Sequence, residues 1–66
     1  MIEEEIKNYM DILLSKQQTQ SVKKNSMFGA RGIEIIVVGT VDRLEVMKQL
    51  NEKFPKWKFN LTIYKN

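Results

Sequence analysis

Side chains able to bind an anion or stack on a ring gather in one short stretch. Residues 21–32 read SVKKNSMFGARG, with Lys23, Lys24 and Arg31 as cations, Phe28 as a lone aromatic and a Gly-x-x-Gly at positions 29–32. Lysine and arginine neutralise phosphates, a phenylalanine ring stacks on a base, and glycine lets a backbone approach a ligand closely. Further on, the segment WKFNLTIYK, 57–65, alternates apolar and polar residues. The alternation puts Lys58 and Tyr64 on the outer face of a sheet, where they extend the basic surface. Lys23, Lys24, Phe28, Arg31, Lys58 and Tyr64 are therefore the candidate contacts for a protein partner or a nucleic acid.

Other chemistry is closed to the chain. It has no histidine and no cysteine, so no Ser-His, Cys-His or zinc arrangement can be built. Glu3, Glu4 and Glu5 fall at the open start of a helix, and Asp42 and Glu45, at i and i+3, suit a solvated helix face better than a magnesium site. A chain of 66 residues is also too short to enclose much of a substrate pocket of ~300 Å³. The expectation is a protein that is not an enzyme and takes no cofactor and no metal.

The glycines assign no nucleotide-binding motif. A KH-type Gly-x-x-Gly clamp joins two helices, whereas here IEIIVV, 33–38, follows directly. A P-loop requires Gly-Lys-Ser/Thr before a helix. VVGTVD, 37–42, runs from a strand into a helix start, where amides can meet an anion, but its single glycine fits an ordinary turn.

The elements that position these residues are legible from periodicity. Ile2, Ile6, Tyr9, Met10, Leu13 and Leu14 share one face of a helix over about residues 2–17, with three glutamates at its positive end. Residues 20–28 form either a weak strand, with GARG as a hairpin turn of three to five residues, or a connector. IEIIVV is β-branched and bounded by glycines, as a buried strand is. Thr40 caps a second helix striped with Leu44, Met47, Leu50 and Phe54, which Pro55 stops. The last strand follows, so 39–56 is a crossover between parallel strands. The fold class is α+β or α/β: a single small domain over 1–66, α-(β)-β-α-β, with a β-α-β unit and a two- or three-stranded sheet packed by two helices.

One burial problem points outward. If Ile33, Ile35 and Val37 face the second helix, Ile36 and Val38 face the other way, beside Glu34 and opposite a polar strand. Either the first helix covers them or another chain does. Arg43 falls on the apolar side of the second helix, as a snorkelling side chain or as a contact at a subunit boundary. Ile36, Val38 and Arg43 are the candidate oligomer interface, and the open sheet edges invite pairing.

Composition sets the rest. Eleven basic and eight acidic residues leave a net charge of +3, which permits a nucleic-acid partner without requiring one. An acidic start, no long apolar run and no cysteine lead to the expectation of a cytoplasmic protein without membrane contact. Abundant lysine and isoleucine with a single alanine suit an AT-rich gene, such as one from a phage or other mobile element. The function expected is a small interaction module, a regulator, inhibitor or adaptor, docking as a homo-oligomer or on another protein. The alternative is a basic nucleic-acid-binding protein using the 21–32 loop and the outer sheet face.

Overall fold

The computed structural model describes residues 1–15 and 17–65. Along the chain come α1 (Ile2–Leu13), β1 (Thr19–Lys24), a 3-10 turn (Ser26–Phe28), β2 (Gly32–Val38), α2 (Arg43–Lys53) and β3 (Lys58–Tyr64). The strands form one mixed sheet in the order β1-β2-β3, with β1 antiparallel and β3 parallel to the central β2. The α-β-β-α-β order is the expected one, and the uncertain second strand is present.

Apolar spacing in α1 buries Ile6 and Met10 one turn apart and packs Ile2, Tyr9, Leu13 and Leu14 around them. The helix stops at Leu13 rather than near residue 17. Leu14 swings into extended backbone while its N–H still donates to the Met10 carbonyl. Gln18 then closes a turn, its side chain accepting from the Ser15 N–H and its own N–H donating to the Ser15 carbonyl. Lys16, inside the expected helix end, lies outside the described residues.

The β1–β2 hairpin turns through residues 25–31, a longer connection than GARG alone. Asn25 organises it: its side-chain oxygen accepts from the Met27 N–H at 3.0 Å, and its N–H donates to the Gly32 carbonyl at 2.9 Å. An aspartate or asparagine that binds the backbone two residues on is a turn-forming device. Gly29 takes φ +102°, a region open to glycine, and Gly32 leaves no room for a side chain because a Cβ there would lie 2.4 Å from the Asn25 carbonyl oxygen. The Gly-x-x-Gly thus serves close approach of the chain to itself.

The second helix is capped two residues later than expected. Asp42, not Thr40, is the N-cap, its carboxylate accepting from the Glu45 N–H at 3.2 Å. The stripe shifts accordingly: Val46 and Leu50 are buried, Met47 and Phe54 pack beside them, and Leu44 is 82% exposed. At about 100° per residue, Leu44 stands roughly 120° round the helix from Leu50. Phe54, held out of the helical region by Pro55, ends the helix.

Both helices lie on one side of the sheet. Ile33, Ile35 and Val37 are fully buried in a single cluster with Ile6, Met10, Val46, Leu50 and Leu61. Tyr9 meets Phe54 edge-on with ring centroids 5.7 Å apart, and Phe54 meets Phe59 at 6.3 Å, tying helix to helix and helix to sheet. The molecule is a two-layer sandwich, so α1 does not cross over to cover Ile36 and Val38.

Candidate binding surface

Alternation along each strand decides what the uncovered face presents. The register sets Ser21 opposite Ile36 and Lys23 opposite Glu34 on one flank of β2. On the other flank Asn60, Thr62 and Tyr64 stand opposite Glu34, Ile36 and Val38. Ile36 and Val38 are half-buried there, and Tyr64 is 58% exposed. Gly32 points the same way as Glu34, and a Cβ at Gly32 would lie 2.7 Å from the Phe28 Cβ. The hairpin turn therefore folds over this face at one end, bringing Phe28 next to Lys58, the strand partner of Gly32.

Four of the expected contacts, Lys23, Phe28, Lys58 and Tyr64, thus share the open face, with Lys58 and Tyr64 about 20 Å apart at roughly 3.3 Å per residue. The other two diverge. Lys24 pairs with Ile33 and turns to the helix side, where its Nζ lies 5.9 Å from the centre of the Trp57 ring. The Arg31 guanidinium lies 5.7 Å from the same ring. Trp57 reads in the sequence only as the first apolar position of the last strand. Its place between Lys56 and Lys58, in the triplet KWK, is the one local sign of a second role.

Charge divides between the layers. Residues 1–14 and 40–54, the helices and their flanks, hold four cations and seven carboxylates; the remainder holds seven cations and one carboxylate, Glu34. Lys24, Arg31, Lys56 and Lys58 meet at one end of the sheet because β1 ends where β2 and β3 begin. Among the described residues, none of these four, nor Lys23, has a carboxylate within 4 Å; the ion pair there is Lys7–Asp11, at 3.6 Å.

Arg43 lies elsewhere. It stands one heptad before Leu50, on the inner side of α2, and its Nη1 donates to the main-chain carbonyl of Leu61. The Lys58 N–H donates to the Arg31 carbonyl and the Tyr64 carbonyl accepts from Gly39 N–H, so even-numbered residues of β3 bond towards β2. Leu61 points its carbonyl to the free edge, and Arg43 occupies it. At the opposite edge β1 carries a bulge between Thr19 and Ser21, and lysines 23 and 24. Bulges and charges blunt edges against strand addition.

The carboxylate pair on α2 is engaged in the helix itself. Asp42 caps, and the Glu45 carboxylate accepts from the Gln49 side-chain amide at 2.8 Å. No group of three or more acidic side chains close enough to share a metal ion occurs among the described residues. A groove of about 340 Å³ lies between the helices, lined by Glu5, Asn8, Tyr9, Ile12, Lys53 and Phe54; it is open to solvent rather than enclosed. No helix among the described residues is long and apolar enough to cross a membrane.

No family model matches the chain, and comparison with curated proteins and with solved structures finds no match.

Proposed function

We propose that this chain is a non-enzymatic docking module, a regulator, inhibitor or adaptor of the cytoplasm, whose uncovered sheet face binds first of all a second copy of itself. The observation that carries this reading is that Ile36 and Val38 stand half-buried on the central strand of a face that neither helix covers. Burying them against a like surface removes apolar area from water, and short neighbours such as Ser21 and Thr62 allow close contact.

Charge selects the arrangement. A two-fold axis brings the same patch together on both chains. With the two β2 strands antiparallel across the interface, Ile36 meets Ile36 of the partner subunit and the basic ends lie apart. The parallel alternative would set Glu34 against Glu34 of the partner subunit and crowd the basic ends together, at a cost of several kcal/mol. The face measures roughly 14 by 23 Å from strand spacing and rise, so two copies bury only about 640 Å² in all, below the size of stable specific interfaces and in the range of weak, transient ones. The dimer is a weak one that forms with concentration.

Light scattering after size exclusion, from low micromolar to millimolar protein, tests this. Mass should rise from one chain towards two, and the double variant Ile36→Thr, Val38→Thr should stay monomeric at every concentration while melting within a few degrees of the parent. A parent that remains a single chain at millimolar concentration removes the reading.

A further inference from the structure

We infer that the basic end of the sheet, centred on Lys24, Trp57 and Arg31 with Lys56 and Lys58 beside them, is a binding site for the phosphates of a single-stranded nucleic acid. The ring of Trp57 collects two cations from opposite arms of the hairpin, Lys24 from the end of β1 and Arg31 from the residue before β2. Gathering like charges around one ring without a carboxylate is unfavourable in the free protein, and an anion relieves it. Among the described residues neither side chain donates a hydrogen bond to the protein. With no protein acceptor engaged, the Arg31 guanidinium keeps its donors free, which suits a phosphate's paired oxygens. Attraction to the ring favours positions of both long side chains near Trp57 before the ligand arrives, which lowers the ordering cost of binding.

Three features favour a single strand over other polyanions. The cations wrap the end of the sheet, Lys23 and Lys58 on the open side, Lys24 and Arg31 on the helix side, so they follow a path rather than ring a single point. Phe28, 36% exposed beside Lys58, offers an aromatic ring to an unpaired base, which a duplex keeps stacked inside. Among the described residues no helix or long ribbon projects there to enter a major groove.

This site lies at the end of the sheet and is complete in one chain, so it does not depend on the proposed dimer. The test is a titration of the chain's single tryptophan, by its fluorescence, with an oligothymidylate of twelve or so nucleotides. With four phosphates neutralised, affinity should fall roughly fifty-fold between about 50 and about 200 mM salt, because the logarithmic slope is about −0.7 per phosphate. Replacing Lys24→Gln and Arg31→Gln together should weaken binding at least tenfold and make the slope shallower by about 1.4. The Ile36→Thr, Val38→Thr monomer should bind with unchanged slope. A salt slope near zero, a slope unaltered by the double glutamine variant, tighter binding to the matching duplex, or capture by phosphatidylserine vesicles without capture by the oligonucleotide would each overturn the assignment. Loss of binding in the monomeric variant would overturn the claim that one chain holds the site.

Discussion

The guanidinium of Arg43, on the inner side of α2, is hydrogen-bonded to the main-chain carbonyl of Leu61 on the free edge of β3. A charged side chain on an apolar helix face is thereby given a partner, and an edge carbonyl is taken out of circulation. Arg43→Met keeps the apolar stem and leaves that carbonyl open. It should lower stability by about 1 kcal/mol, seen as a lower urea midpoint with unchanged slope. It should also raise self-association through the edge, seen by light scattering. A variant as stable and as dispersed as the parent would show that the contact is incidental.

Gly32 and Gly29 should respond to alanine for different reasons. At Gly32 the added carbon meets the Asn25 carbonyl at 2.4 Å and Phe28 at 2.7 Å, so the hairpin turn must move; overpacking of this kind costs roughly 1–3 kcal/mol. At Gly29 nothing lies within 4 Å, and the strain is that of φ +102° alone, again roughly 1–3 kcal/mol. The variants separate in the amide spectrum: Gly32→Ala should shift Asn25, Phe28 and their neighbours widely, Gly29→Ala only its own surroundings.

Capping of α2 gives a sharp contrast between two nearby residues. Asp42→Ala should cost about 1 kcal/mol through loss of the bond to the Glu45 N–H. Thr40→Ala should change chemical stability by less than about 0.5 kcal/mol, as exposed substitutions do. Equal effects of the two would contradict the cap at Asp42.

Leu50 and Leu44 share a helix and a residue type but not a role. Leu50 is fully buried and Leu44 is 82% exposed. Leu50→Ala should cost about 2–5 kcal/mol, close to the whole stability of so small a domain. Leu44→Lys should leave the thermal midpoint nearly unchanged and improve solubility.

The candidate site was legible in part. Lys23, Lys58 and Tyr64 reach one face because alternation in β1 and β3 puts them there, and a period of two is a local property of a strand; Phe28 reaches it only because the hairpin turn folds back over Gly32. Lys24 was separated from its neighbour by the same alternation, but its partner, Trp57, lies far along the chain and could not be named from spacing. Arg43 stood out on a helical wheel; what it touches depends on where β3 runs.

Local patterning therefore determined both helices, two of the three strands and the side most residues take within their own element, but left residues 20–28 open between strand and connector and set Leu44 on the wrong side of α2. Ile6, Met10, Leu50 and Leu61 could be assigned to a core for that reason alone, since a side chain's direction follows from 3.6- and 2-residue periods. Tertiary structure decided which side of the sheet each layer occupies. Nothing in the period of α1 distinguishes packing on Ile35 from packing on Ile36; the choice rests on whether its stripe and that of α2 bury more area together than apart. Packing them side by side closed the Tyr9–Phe54–Phe59 contacts and left Ile36 and Val38 open. The register of three strands then carried five cations from distant parts of the chain to one end of the sheet.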